Sequence, residues 1–248
     1  MTPTKQLLSG FEPISLKQMD KVKLLNRMDT KYAFNEKLLP LLLQNLTAHY
    51  DILEIDEQRE YPYQTVYFDT ENFTTYMHHH NGRLSRYKIR LRRYLASDQN
   101  FFEIKCKNNK KRTIKTRITV EGYSPEIAGP SEELLLKLTP YTAKELMPVL
   151  TVNYSRITFV SKNMDERVTI DTNLAYKAGL NEKSFNKLII AEIKQDKTEV
   201  SPFTRELHRL HINELRISKY CLGILSLYEG IKQNNFKPKV RSINHILS

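Results

Sequence analysis

The segment Tyr87–Lys107, YKIRLRRYLASDQNFFEIKCK, constrains the fold more than any other part of the chain. Lys88, Arg90 and Arg92 occupy every second position, with Ile89 and Leu91 between them. After a short polar break, Glu103, Lys105 and Lys107 resume the alternation against Phe102, Ile104 and Cys106. Period-2 spacing sends each set to one face of a β-strand. The segment therefore predicts a hairpin with one apolar face and one face carrying five cations and one carboxylate. Such a face either lies in solvent, as on an ordinary half-buried sheet, or lines a cationic trough or tunnel for a polyanion.

The rest of the chain bears on that choice. Its 248 residues suffice for one large domain or two small ones, and for a real core. A hydrophobic content of 40%, with 14 Tyr and 10 Phe, describes a folded rather than a disordered protein. A net charge of +11 favours an anionic partner: nucleic acid, a membrane surface or a phosphorylated small molecule. Two cysteines, Cys106 and Cys221, make neither a disulfide framework nor a zinc cluster, so a reducing compartment is expected. No secretory signal is read in the first ten residues, and no stretch approaches the roughly 18–20 apolar residues of a membrane span. A soluble cytoplasmic protein is the expectation.

Along the chain, Ile14–Arg27 has helical apolar spacing, and Arg27, Asp29 and Lys31 then alternate on a strand. Asn35 is placed to cap a helix over Glu36–Ala48 with a leucine stripe. Strands are expected at Ile52–Ile55 and Thr65–Asp69, a short helix or turn at Glu71–His79, and a strand at Arg112–Val120. Glu121–Pro130 is the best loop, followed by helices at Ser131–Leu138 and Thr142–Met147. Val149–Val160 and Arg167–Asp171 read as a hairpin, Leu188–Lys194 as an apolar strand, and Pro202–Leu215 and Ser218–Tyr228 as helices. Residues 1–230 form one unit in this reading, and 231–248 a basic, weakly patterned tail. About eight strands without βαβ alternation predict an antiparallel sheet in an α+β fold.

At least five strands put Lys or Arg on their polar face: Lys31; Lys88, Arg90 and Arg92; Lys105; Lys115 and Arg117; Arg156 and Arg167. Acids are placed singly, twice as Glu-x-Lys, at Glu103–Lys105 and Glu192–Lys194. The pattern predicts an inverted antiparallel β-barrel, a tunnel with charges within and its apolar layer outside under helices. Two like charges ~4 Å apart repel by roughly 4 kcal/mol at an effective dielectric of ~20, so such an interior calls for anions. Phosphates answer that need, because Arg grips their oxygens in a fork. The lone carboxylates Glu103 and Glu192 suit a divalent metal shared with substrate phosphates.

Taken in order, R-x-D-x-K-Y at Arg27–Tyr32, YFD at Tyr67–Asp69, R-L-R-x-Y at Arg90–Tyr94, E-x-K at Glu103–Lys105, Y-x-R at Tyr154–Arg156, A-E-I-K at Ala191–Lys194 and S-K-Y at Ser218–Tyr220 resemble the VTC domain. That is the catalytic domain of the vacuolar transporter chaperone polyphosphate polymerase, in the triphosphate tunnel metalloenzyme (CYTH-like) superfamily. The resemblance covers roughly residues 20–230 and implies a metal-dependent transfer of the ATP γ-phosphate to a polyphosphate chain or orthophosphate, with Mn²⁺ or Mg²⁺ as cofactor. Arg90, Arg92, Lys105 and Arg156 would be catalytic. Phosphate would be bound by Lys31, Lys88, Lys115, Arg117, Tyr154, Arg167, Lys194, Ser218 and Lys219, with Glu192 and Glu103 on the metal. The superfamily's usual opening, E-x-E-x-K, is here Arg27, Asp29 and Lys31, which weakens a two-metal hydrolase and is closer to the polymerase variant. The regulatory domain and membrane spans of the eukaryotic complex are not in the sequence, so coupled translocation is not implied. A tunnel triphosphatase and a non-catalytic polyphosphate-binding module remain alternatives.

Other features invite simpler readings. His78–His80 cannot share one face and read as a solvated turn, and Cys106 as core. The tyrosines, open to stacking with nucleic acid in principle, sit at strand positions where packing is the default. The basic tail reads as a solvated or disordered end.

Overall fold

The computed structural model describes residues 3–19, 28–110, 112–195 and 200–248. Its strands are β1 (Glu12–Ile14), β2 (Met28–Asn35), β3 (Tyr50–Leu53), β4 (Tyr61–Asp69), β5 (Arg86–Tyr94), β6 (Gln99–Lys107), β7 (Thr113–Val120), β8 (Met147–Ser161), β9 (Glu166–Ala178), β10 (Asn181–Phe185) and β11 (Leu188–Gln195). The helices are α1 (Pro3–Leu8), α2 (Leu16–Met19), α3 (Leu39–Leu43), α4 (Thr74–His80), α5 (Pro130–Leu138), α6 (Pro202–Arg209), α7 (Lys219–Leu227) and α8 (Lys237–Leu247). The strands form one 11-stranded sheet whose main path runs β2-β11-β9-β8-β4-β5-β6-β7, all antiparallel. Only the short β1–β3 pair is parallel.

The expected α+β tunnel fold is present, with one refinement: the sheet curls without closing. Among the described residues no ladder joins β2 to β7. The segment before α7 covers the free edge of β2, through the bridge Tyr32–Glu214 and the Leu215 N–H donated to the Lys31 carbonyl at 2.8 Å. β7 ends the path at the other side.

Both faces of the curl carry apolar layers. On the convex face, α3 and α6 bury Leu42, Leu43, Phe203 and Leu207 against Phe34, Ile170 and Ile193. Further round, α5 seats Leu135 on Ile89, Phe102 and Ile104. The concave face is divided. Tyr67, Val152, Tyr176 and Ile190 pack against Tyr220 and Ile224 of α7, while residues of the same alternation further along β2, β5, β8 and β11 are charged. α7 thus fills one end of the hollow and turns its N-terminus toward the charges.

Several expectations need correction. Residues 231–248 are no loose tail, because Phe236, just before α8, and Ile243 of α8 are buried in the core and the Ile246 carbonyl accepts from Asn35 at 2.9 Å. His78–His80 belong to α4 rather than a turn, and His80 is buried, its Nε2 accepting the Asn235 N–H at 3.2 Å. The Glu36–Ala48 helix shortens to a 3-10 turn and α3, and Thr142–Met147 to a 3-10 turn over Ala143–Glu145. Helix α6 stops at Arg209, and β10 was not expected. The Ile14–Arg27 helix is observed as α2; Arg27 and the rest of its second half lie outside the described residues.

Candidate functional site

The centre of the charged hollow is the register of β5, β6 and β7. Antiparallel pairing sets Arg90 across from Glu103, and Glu103 across from Arg117, on the concave side. Glu103 is fully buried and surrounded by cations: Arg90 Nη2 at 2.6 Å, Lys115 Nζ at 2.8 Å and Arg92 Nη1 at 3.8 Å. Burial pushes its carboxyl up, yet Arg90, Arg92 and Lys115 outweigh this and hold it well below the usual carboxylate range. Arg90 also donates to the Tyr67 hydroxyl at 3.2 Å. Burial raises the Tyr67 phenol, but Arg90, Lys88 and Arg92 together bring it below its ordinary value.

A second carboxylate fixes the neighbouring wall. Asp171 of β9 takes the Arg156 guanidinium as a fork, Nε at 2.6 Å and Nη2 at 2.9 Å, and also pairs with Lys219 at the start of α7. Burial raises the Asp171 carboxyl, and Arg156 and Lys219 more than reverse that, to about 2. Tyr154 stacks on Tyr63 with ring centroids 5.3 Å apart, Arg156 lies over both rings, and Lys219 sits 4.9 Å from the Tyr154 centroid. The aromatic faces add cation–π attraction to the cations they support. Tyr63, Tyr67 and Tyr154 thus line the charged hollow as well as packing the sheet.

The third carboxylate is Glu192 of β11, with Lys31 at 2.5 Å and Lys194 at 3.3 Å. Burial raises it, and Lys194, Lys31 and Arg156 hold it well below its ordinary value. Facing this wall, Lys88 donates to the Ser218 hydroxyl at 2.8 Å, and the same oxygen caps α7 by accepting the Cys221 N–H at 3.3 Å. Lys105 differs from the rest. Its ammonium has no ion-pair or hydrogen-bond partner among the described residues. Burial first, then Lys88, Arg90 and Lys31, lower it to about 8 although Glu192 opposes the shift.

The structure therefore gathers Lys31, Lys88, Arg90, Arg92, Lys105, Lys115, Arg156, Lys194 and Lys219 around three carboxylates, with Tyr154 and Ser218 beside them. Arg117 and Arg167 are further out. Arg117 shares the concave alternation but is exposed, its guanidinium 4.5 Å from the Phe101 ring centroid. Arg167 lies toward the opposite mouth and donates to the Met19 carbonyl at 3.1 Å. Sequence reasoning did not assign Asp171 its role as counter-ion, nor Asp69 its structural one. Asp69 accepts the Thr75 and Tyr76 N–H groups at 2.8 and 2.9 Å and the Tyr220 hydroxyl, so one carboxylate caps α4 and ties α7 to the sheet. The YFD motif marks the residue, but its partner is 151 positions away.

The two carboxylates expected on a metal fit it unequally. Glu103 has both oxygens engaged by Arg90 and Lys115, so its donor set is that of a counter-ion. Among the described residues the ion pairs of Glu192 are with lysine ammonium groups, which suits an ion held by one carboxylate plus substrate phosphates. Among the described residues no three His, Cys, Asp or Glu side chains come together as a metal cage.

With the geometry in place, the comparisons are specific. A family model described as the VTC domain matches residues 26–228. A Bacillus halodurans protein provisionally assigned as an adenylate cyclase superposes with a TM-score of 0.50 at 16% identity, over 78% of this chain and 96% of its own. That likeness is one of fold. A Hippeastrum protein, provisionally assigned as an adenylyl cyclase and described as having a dominant triphosphatase activity, gives 0.49 at 11% identity, over 82% and 98% of the two chains. No curated protein matches the chain significantly. Among the described residues no helix is long and apolar enough to cross a membrane.

Proposed function

The chain belongs to the VTC domain family, and from that premise we propose that it is a polyphosphate polymerase, moving the γ-phosphate of ATP onto a growing phosphate chain. One observation carries the reading: among the described residues Lys105 has no ion-pair or hydrogen-bond partner, in a ring of cations where Glu103, Asp171 and Glu192 each pair with other lysines or arginines. Bringing cations together unneutralised is costly, and a row of phosphates removes the cost.

In this mechanism Arg90, Arg92 and Arg156 hold the triphosphate by forked hydrogen bonds, each stiffened by its carboxylate or tyrosine. Lys105 supplies the charge nearest the transferring group. The acceptor is orthophosphate or a chain end, whose anionic oxygen needs no general base. It forms a bond to the γ-phosphorus as the bond to the β–γ bridging oxygen breaks, and ADP leaves. The N-terminus of α7, with Ser218 and Lys219, neutralises phosphate at the closed end. A divalent ion, Mn²⁺ or Mg²⁺, held by Glu192 and the substrate would offset charge on the phosphate oxygens. Catalysis is then positioning and charge stabilisation.

Purified protein incubated with ATP and Mn²⁺ is expected to yield a polymer ladder on a gel stained for polyphosphate. Arg90→Ala and Arg92→Ala should each lose on the order of 10³-fold or more in rate, with circular dichroism unchanged. Orthophosphate release without polymer replaces the reading by a triphosphatase, and binding without turnover by a passive polyphosphate module.

A further inference from the structure

A cavity of about 670 Å³ opens beside the start of α7. Lys31, Lys88 and Ser218 belong to its wall and to the charged hollow alike. Further basic groups of the wall do not: His79 comes from α4, Arg86 from β5, Lys107 from β6, His208 from α6, Arg216 from the segment before α7 and Lys239 from α8. The last lies beyond the matched VTC segment, which ends at residue 228. The vestibule exists because α8 is fastened down. Besides its bond from Asn35, the Tyr76 hydroxyl donates to the Lys232 carbonyl at 2.7 Å, and Asn235 Nδ2 to the His80 carbonyl at 2.9 Å. Lys239 is thereby placed at the wall, 5.6 Å from the Phe236 ring centroid.

Charge at the wall is again unbalanced. Asp29 and Glu214 are the acids that line it, and Glu214 pairs with Arg216 at 2.9 Å. Arg86 donates to the Arg83 carbonyl at 2.7 Å, while its buried Nε has no partner among the described residues. A buried guanidinium N–H left unmade is costly, and an anion in the cavity would satisfy it. His79 stands among Lys88 and Arg86 of β5, Lys107 of β6 and Lys239 of α8; burial and these four cations hold its imidazole below its ordinary value. His208 of α6 and Cys221 of α7 complete the titratable lining.

We propose that this vestibule is an outer binding site for a segment of phosphate chain, and that His79 takes up a proton as the anion enters. Burial is the first cause of the neutral ring and the four cations the second; an anion among those cations removes the second and offers the imidazolium an acceptor. The proton comes from the buffer, and the imidazolium then donates a hydrogen bond to a phosphate oxygen. Because Lys88 and Ser218 face both spaces, one chain can occupy the inner hollow and the vestibule together. The inference rests on the reading that the hollow takes phosphate chains, but not on polymerisation.

The test is calorimetric titration at about pH 6.5, without ATP, in two buffers of unlike ionisation enthalpy, with tripolyphosphate and with long-chain polyphosphate as probes. At that pH Lys105 is already charged, and the difference between wild type and His79→Asn separates the uptake of His79 from that of His208 and of the phosphate termini. Wild type should take up more protons per bound protein than His79→Asn, by as much as one. Lys239→Gln should weaken long-chain binding by about tenfold and tripolyphosphate binding less, since the shorter anion fits the inner hollow. Equal uptake in wild type and His79→Asn, or equal loss for the two probes in Lys239→Gln, overturns the proposal. Polymer formation from ATP together with equal uptake would sink this inference alone. Absence of polymer with His79-dependent uptake would sink the polymerase reading alone. Should His79→Asn melt before it can be titrated, the Lys239→Gln probe comparison decides the matter.

Discussion

Lys105 holds its proton less firmly than an ordinary lysine, at about 8, because it is buried beside Lys88, Arg90 and Lys31. Two opposite pH dependences follow. An unfolded lysine keeps its proton to about pH 10.4, so between about pH 8 and that value the unfolded chain binds more protons and this group raises stability with pH. Below about pH 8 the folded state bears the cost of the charge. Phosphate needs the charged form, so tripolyphosphate affinity should fall as pH rises through about 8 while the melting temperature gains. Bound phosphate moves the transition upward, since it favours the ammonium. Lys105→Arg, which stays charged, should flatten the affinity profile; an unchanged profile rules out Lys105 as its source. At this scale the sequence was readable where chemistry follows the alternation: Lys31, Lys88, Arg90, Arg92, Lys105, Lys115 and Arg156 all meet in the hollow. It was unreadable where a role depends on the partner. Nothing in E-x-K distinguishes Glu103, engaged by Arg90 and Lys115, from Glu192, flanked by Lys31 and Lys194.

Helix α7 decides where Ser218 and Lys219 stand, and a glycine decides where α7 stands. A Cβ on Gly223 would lie 2.5 Å from Leu150 Cδ2 and 2.6 Å from Tyr176 Cδ1, so the helix reaches β8 and β9 only because none is there. Gly223→Ala is expected to cost about 1–3 kcal/mol by overpacking. It should also weaken tripolyphosphate binding, because the helix start moves with its body. Thermal melting and titration of one variant read both effects, and a stable variant with lowered affinity would still fit, whereas full affinity would not. A helix over Ser218–Tyr228 was expected from the sequence, as the alternations led to β5, β6 and β7. Helix α8 was obscured by Lys237, Lys239 and Arg241, though Val240, Ile243, Ile246 and Leu247 follow a helical period and Pro238 suits a first turn. What hid it was the buried surface it needs, which other parts of the chain provide.

Over the whole molecule the fold is held partly against its own charge. Like-charged groups in a shared hollow repel, so an anion that fills it stabilises the native state alone. Tripolyphosphate at about 100 times its dissociation constant should add about 2.7 kcal/mol, seen as a rise in melting temperature. Salt should raise the melting temperature of the free protein by screening and diminish the gain from the ligand. A gain indifferent to salt would mean that the anion binds elsewhere. The curl itself was legible only as the need to enclose cations; the Tyr32–Glu214 bridge at the β2 edge joins distant segments, which no local pattern shows. The open end has a further effect. Among the described residues no strand pairs with the outer side of β7, the kind of border along which sheets of different molecules fuse. Lys115 and Arg117 make that border self-repelling between copies, as charged edge residues do elsewhere. Erasing those charges by alanine removes the safeguard, so Lys115→Ala with Arg117→Ala should self-associate more readily at an unchanged melting temperature, read by light scattering.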